Sequence, residues 1–125
     1  YPTDDFEALA EFARTEIEND DRPAMQTQIE NLDDYDVIFV GYPIWWYDMP
    51  AVMYSFFDQY DFSGKTIIPF TTHGGSGLSG TPEIIAELEP DATVSDQTFT
   101  VSRDDVTDAE SDVAEWIASL DVIQQ

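Results

Sequence analysis

The chain of 125 residues has room for one domain and contains no cysteine, which excludes disulfides and cysteine-ligated zinc or iron–sulfur centres. Its 27 acidic and 4 basic residues give a formal charge of -23, so nucleic acid and anionic membrane surfaces are expected to repel it. Hydrophobic residues make up 42% of the chain, which is enough for a folded core.

The first predicted element is a helix over about Asp4–Asn19, because apolar residues recur there at helical spacing with acidic residues between them. A turn at Pro23 ends it, and a polar connection over residues 24–34 follows. The apolar run Val37–Val40, which is closed by glycine and proline, then predicts a buried strand over about Asp36–Gly41.

The segment after this strand carries three adjacent aromatic residues, Trp45, Trp46 and Tyr47. Open α/β sheets bind ligands just beyond the carboxyl ends of their strands. Aromatic side chains placed there offer flat apolar faces to a flat ligand. The same side chains could instead pack beneath the loop as core, and the sequence leaves both interpretations open.

A second strand and loop repeat this arrangement. A predicted helix over about Pro50–Gln59 leads to a short apolar strand over about Thr66–Phe70 and then to a glycine-rich loop over Thr71–Gly80. A helix with Thr81 as N-cap and proline in its first position follows, and it stops before residue 90. Such a loop lets backbone N–H groups approach a ligand closely, although its spacing is that of neither a Walker loop nor a dinucleotide fingerprint.

Alternating β-branched and apolar residues predict a last strand over about Thr93–Val101. Ser102 is placed to cap a final helix, whose apolar stripe reaches Leu120 and includes Trp116 as a packing residue. Because strands alternate with helices along the chain, the sequence predicts a parallel α/β sheet.

Three segments resemble the flavodoxin-like family, in particular the short bacterial flavodoxins: Asn31–Trp46, Phe62–Phe70 and Thr72–Gly77. Their order and spacing fit that family over about residues 1–120. The resemblance implies a three-layer, doubly wound α/β fold with a five-stranded parallel sheet and a non-covalent FMN. It also implies that the first loop lines one side of the flavin ring and that the second approaches its pyrimidine end. The cofactor-binding residues implied in this way are Pro43, Ile44, Trp45, Trp46, Thr72, His73, Gly74, Gly75, Ser76 and Gly77.

The chain departs from that family at one point. No Ser/Thr-x-Thr-Gly-x-Thr pattern occurs, so neither the loop that cradles the FMN phosphate nor the strand expected beside Val37–Gly41 is found. We therefore expect a single flavodoxin-like domain over residues 1–125 that is incomplete at its N-terminus, binds FMN poorly as given, and can form a homodimer through an exposed sheet edge. None of the 4 basic residues is expected beside the two loops, where it could replace the missing phosphate contacts.

The resemblance implies an electron carrier, and the acidic surface would steer it towards a basic redox partner protein. Two alternatives stay open: an FMN-dependent NAD(P)H oxidoreductase acting on quinones or nitro compounds, and an acidic interaction module that keeps the fold without flavin. The one histidine, His73, is either a proton relay or a hydrogen-bonded spacer. No metal-ligand or catalytic-triad spacing is recognised, and a cytoplasmic location is the default expectation for the family.

Overall fold

The structure is a computed structural model that describes residues 5–26 and 28–120. The first helix, α1, spans Phe6–Glu18. It is capped by Asp5, whose Oδ1 accepts hydrogen bonds from the backbone N–H groups of Glu7 (3.0 Å) and Ala8 (3.2 Å). This confirms the predicted helix, with Asn19 as its C-cap, while the predicted start at Asp4 lies outside the described residues.

The described strands form one parallel sheet with β2 at its centre. Strand β1 spans Val37–Pro43 and pairs in parallel with β2, which spans Thr66–His73. On the other side of β2 lie two short strands, β3 (Thr93–Val94) and β4 (Phe99–Ser102). Within the described part of the chain, no strand pairs with the outer edge of β1. Because the strands are parallel, the loops after β1, β2 and β4 leave from the same edge of the sheet.

The last predicted strand, Thr93–Val101, is divided in the structure, so that prediction was wrong in its middle. On the side of β2 that faces this strand, the carbonyl of Ile67 accepts a hydrogen bond from the N–H of Ser95 (2.8 Å). The backbone groups of alternate residues in a strand point to the same neighbouring strand, so the next residue of β2 that could pair on this side is Pro69. Proline has no backbone N–H to donate. Pairing therefore stops after β3 and resumes only with β4.

The remaining helices are α2 (Ala51–Gln59), α3 (Thr81–Leu88) and α4 (Glu110–Ser119), with short 3-10 turns at Leu32–Asp34 and Val106–Asp108. None of the helices described here has the length and apolar character that crossing a bilayer requires.

Two predicted helix starts were wrong. The N-cap of α3 is Gly80 with a φ of 71°, not Thr81, whose hydroxyl donates to the carbonyl of Leu78 (2.7 Å) instead of capping the helix. The final helix begins at Glu110 and not directly after Ser102, because the Ser102 hydroxyl accepts from the N–H of Asp104 (3.3 Å) in a local turn that diverts the chain.

Helices cover both faces of the sheet, which confirms the predicted three-layer, doubly wound α/β arrangement. Because β3 and β4 both pair with the same side of β2, the four described strands occupy three adjacent positions in the sheet. The resemblance implies five positions. On one face α2 and α3 enclose a core built from Leu32, Val40, Tyr42, Met49, Phe57, Phe62, Ile67 and Ile85.

The opposite face is packed by α4. The ring of Trp116 lies 5.9 Å from that of Phe39, 6.0 Å from that of Phe70 and 5.4 Å from that of Phe99, measured between centroids. These contacts confirm that Trp116 is a packing residue. Coverage on this face is incomplete, because Phe39 and Phe70 remain 40% and 38% exposed.

Candidate functional site

The aromatic loop after β1 is a tight two-residue turn. The backbone N–H of Trp45 donates to the carbonyl of Asp48 (2.9 Å), and the N–H of Asp48 donates back to the carbonyl of Trp45 (3.1 Å). Between them, Trp46 and Tyr47 both have positive φ, at 53° and 64°. Positive φ at both central residues is the pattern of a type I′ hairpin turn, which normally takes asparagine and glycine. Two bulky aromatic residues in this backbone are strained.

Side-chain contacts hold this turn in place. The Asp48 carboxylate accepts hydrogen bonds from the N–H of Met49 and from the hydroxyl of Tyr54, both at 2.7 Å. The indole N–H of Trp46 donates to the carbonyl of Ala10 in α1 (2.8 Å), and the Arg14 guanidinium lies 5.1 Å from the Trp46 ring centroid. The turn is therefore joined to α1, which closes one side of the site.

The glycine-rich loop after β2 exposes its backbone. Gly75 and Gly77 have φ values of 138° and 63°, which side chains rarely adopt, and a Cβ on either would meet nothing within 4 Å. The N–H of Gly75 donates to Nδ1 of His73 (2.9 Å), so the neutral imidazole carries its proton on Nε2. This contact is the kind that a hydrogen-bonded spacer makes, while Nε2 stays available as a donor.

Hydrogen bonds tie the two loops and their strands together. The N–H of Ile44 donates to the carbonyl of Thr72 (2.9 Å), and the hydroxyl of Ser79 donates to the carbonyl of Tyr47 (2.8 Å). Beneath them, the hydroxyl of Tyr42 donates to Oγ1 of Thr81 (2.7 Å). Burial raises the pKa of Tyr42 to about 12, with nearby acids adding to the effect, so this phenol stays neutral and remains a donor near pH 7.

The loops and α1 enclose an open cavity of about 720 Å³, which is within the usual size range of small-ligand sites. Every residue that the sequence assigned to the site lines this cavity except Gly77: they are Pro43, Ile44, Trp45, Trp46, Thr72, His73, Gly74, Gly75 and Ser76. The two loops recognised separately in the sequence thus meet in space.

Sequence reasoning left out part of the wall. The additional lining residues are Phe6, Leu9, Ala10, Ala13 and Arg103, and Tyr47, which the aromatic loop was expected to display, lines the cavity as well. No part in the site was predicted for the apolar stripe of α1, yet Phe6 is 74% exposed at the cavity. The expectation that no basic residue lies beside the loops was wrong, because Arg103 lines the cavity and its backbone N–H donates to the carbonyl of His73 (2.7 Å). Its place directly after the last strand was the available signal.

No group of three or more His, Asp or Glu side chains within residues 5–26 and 28–120 is placed to hold a metal ion. What the cavity offers is an apolar and aromatic wall, an exposed glycine backbone, one imidazole and one guanidinium. Such a set suits a flat organic ligand with polar atoms along one edge.

Comparisons with known proteins agree with this architecture. Residues 1–120 match the sequence model of a family described as flavodoxin. No curated protein sequence matches the chain.

Among solved structures, an inferred flavoprotein from Bacteroides eggerthii DSM 20697 is 29% identical with a TM-score of 0.68, over 82% of this chain and 65% of its own. An inferred flavoprotein from Bacteroides uniformis ATCC 8492 is 30% identical with a TM-score of 0.69, over 79% and 64%. The chain thus spans about 65% of the length of these structures. A flavoprotein from Lactobacillus acidophilus NCFM, crystallised in complex with FMN, shares the fold at 20% identity with a TM-score of 0.66, over 91% and 71%.

Proposed function

Because the chain belongs to the flavodoxin family, we propose that its cavity binds the isoalloxazine ring of FMN and that the protein transfers electrons. The observation that carries the proposal is the convergence of the aromatic turn, the glycine-rich loop and α1 on one cavity of about 720 Å³. The Lactobacillus acidophilus flavoprotein with the same fold holds FMN, which supports the choice of cofactor.

The described residues fit the ring of FMN. Trp45 and Trp46 supply aromatic faces, and the exposed backbone around Gly75 has room for a polar ring edge because a Cβ there would meet nothing within 4 Å. They do not supply a phosphate loop, since the glycine-rich loop carries no Walker or flavodoxin phosphate pattern. Ring recognition is therefore the part of cofactor binding that we assign to these residues.

FMN, when bound, supplies the redox chemistry; the chain's own residues orient the ring, exclude water from one side of it and donate hydrogen bonds. The apolar side chains of Leu9, Ala10 and Ile44 would shield the ring, and the backbone N–H groups of the glycine-rich loop would contact its pyrimidine edge. The Nε2 proton of His73 would be one further donor at that edge.

Electron transfer needs a partner, and the charge of the chain suggests its kind. With a formal charge of -23, the surface attracts basic proteins and raises their encounter rate at low salt. We propose a basic redox partner for this reason. The rate of electron transfer to a basic haem protein is expected to fall as salt is added.

Flavin titrations test the proposal. The protein is expected to quench the fluorescence of FMN and riboflavin, with weak affinity because the phosphate loop is not found, but not that of FAD, because the sequence carries no signature of an adenine pocket. Trp45→Ala and Trp46→Ala should each weaken binding by about 5- to 150-fold, which corresponds to roughly 1–3 kcal/mol of stacking and burial. Tyr35→Ala, which removes a 54% exposed aromatic side chain outside the cavity, is the control.

Unchanged affinity in both tryptophan variants would contradict the assignment of the stacking face. A chain that binds no flavin at all would leave the acidic interaction module as the better reading. Steady-state oxidation of NADH in the presence of a quinone, by the flavin-loaded protein alone, would favour the oxidoreductase over the carrier.

A further inference from the structure

Arg103 differs from the other basic residues of this acidic chain. Arg14 pairs with Glu18 (2.9 Å), and Arg22 pairs with Asp20 (2.6 Å) and Asp58 (2.9 Å). The ammonium group of Lys65 donates a hydrogen bond to the carbonyl of Tyr35 (2.5 Å). Arg103 forms no ion pair with any acid of the described residues, although acids outnumber bases by 27 to 4.

The guanidinium of Arg103 lies against the glycine-rich loop. A Cβ built on Gly74 would be 3.5 Å from Cζ of Arg103 and 3.6 Å from its Nε and Nη1, which is ordinary van der Waals contact. The backbone of Arg103 is fixed at the same place by the hydrogen bond from its N–H to the carbonyl of His73 (2.7 Å). The charged head therefore lies beside the glycine-rich loop, where Arg103 also lines the cavity.

A guanidinium at the rim of an apolar cavity is a binding group for an anion. Self-repulsion makes this chain a poor host for negative charge, and one unpaired cation beside the ligand offsets part of that repulsion. The flavin ring gains negative charge at its pyrimidine end on reduction: two electrons and one proton, taken up at N5, leave one negative charge over N1 and the C2 carbonyl. No bond to the protein forms or breaks, and the donor partner supplies the electrons.

We propose that Arg103 stabilises the negative charge on the pyrimidine end of the reduced flavin and so raises the reduction potential of the bound cofactor. The inference rests on the proposed function, because it takes the glycine-rich loop as the site of the pyrimidine end. Arg103, which tunes the reduction potential in this proposal, directly follows β4 and belongs to neither of the two ring-binding loops. Charge placed near N1 is one of the means by which proteins tune a flavin.

The experiment compares the protein with Arg103→Gln, Arg103→Lys and Arg22→Gln, each with FMN and with riboflavin, which has no phosphate. Arg22→Gln removes the same charge from a residue that does not line the cavity. Affinity for the oxidised flavin is measured by fluorescence titration, and the midpoint potential of the bound flavin by equilibration with reference dyes. Dithionite supplies the electrons.

For Arg103→Gln we expect affinity for the oxidised flavins to stay nearly constant while affinity for the reduced flavins falls about fivefold, as for one solvent-exposed charge contact. For a two-electron couple this fivefold change is a potential lower by about 20 mV, with both FMN and riboflavin. Arg103→Lys keeps the charge and should retain most of the potential of the parent protein. Arg22→Gln should leave the potential unchanged.

If Arg103→Gln lost affinity for oxidised FMN but not for oxidised riboflavin, the guanidinium would be binding the phosphate. That result would overturn the inference. Equal potentials for Arg103→Gln and the parent protein would overturn it as well, with flavin binding intact. Failure of the parent protein to bind either flavin would instead overturn the proposed function, and the inference with it.

Discussion

Tyr42→Phe is expected to destabilise the protein near neutral pH and to stabilise it in strong alkali. The Tyr42 ring is 4% exposed, and its hydroxyl donates to Oγ1 of Thr81, which joins β1 to the first turn of α3. Without the phenol, Oγ1 of Thr81 loses its donor in a buried position. The loss of one such hydrogen bond costs about 1 kcal/mol in the free energy of unfolding at pH 7.

The alkaline effect has the opposite sign. Burial raises the pKa of Tyr42 to about 12, whereas an unfolded tyrosine titrates at about pH 10. A group whose folded-state pKa is raised gives stability that is complete below the unfolded pKa and is lost as pH rises towards the folded pKa. At about pH 11 the Tyr42 phenol is deprotonated in the unfolded chain and still protonated in the folded chain. The free energy of unfolding of the parent protein is therefore lower by roughly 1.4 kcal/mol than at neutral pH, a loss that the phenylalanine variant does not have. The two stability curves should therefore cross at about pH 11.

Urea unfolding of both proteins between neutral and alkaline pH measures the difference directly. Tyr54, whose pKa is also raised by burial, is present in both proteins, so its titration cancels in the comparison. Tyr35→Phe, at a 54% exposed ring, is the control and should follow the parent protein at every pH. A variant that is less stable by a constant amount at all pH values would refute the assigned burial of the Tyr42 phenol.

Further predictions concern the charge, the core and the sheet edge. Because the formal charge is -23, added salt should raise the melting temperature by about 4 °C or more between 0.1 and 1 M, which differential scanning fluorimetry measures; a flat response would refute it. Ile85→Ala, at a side chain that is 0% exposed, should lower the free energy of unfolding by about 2–5 kcal/mol, whereas Ile117→Ala, at 39% exposure, should cost less than about 1 kcal/mol. The 125-residue chain should self-associate through the outer edge of β1 at high salt, which sedimentation velocity measures; a monomer under all conditions would contradict it.

Local patterns in the sequence were sufficient to predict most elements and both loops of the site. The apolar run before the aromatic turn and the glycines before α3 are short-range signals, and short-range sterics decide what they form. The ends of the strands were less predictable. Strand β1 continues to Pro43 and β2 to His73, past the predicted ends at Gly41 and Phe70, because the two strands go on pairing with each other. Pairing depends on the partner backbone and not on residue type alone.

The errors came from interactions between distant parts of the chain. Pro69 interrupts a strand that lies more than twenty residues later in the sequence, through the N–H that it does not have. Arg103 belongs to the cavity only because β4 ends beside β2, so that its N–H reaches His73. Neither contact is visible within a short sequence window, although the position of Arg103 directly after the last strand was a signal for its place at that edge of the sheet.

The aromatic turn shows how a local rule can fail at a site. Asparagine and glycine would place the backbone of residues 46 and 47 at lower cost, because positive φ is unfavourable for side chains that have a Cβ. The strain is sustained by contacts outside the turn: Tyr54 and Met49 hold Asp48, and α1 holds the indole of Trp46. What the aromatic pair provides in return is a wall beside the cavity that two small polar residues could not build. Strain that surrounding contacts maintain beside a cavity is characteristic of a binding site, and it therefore supports a role for this turn in holding a ligand.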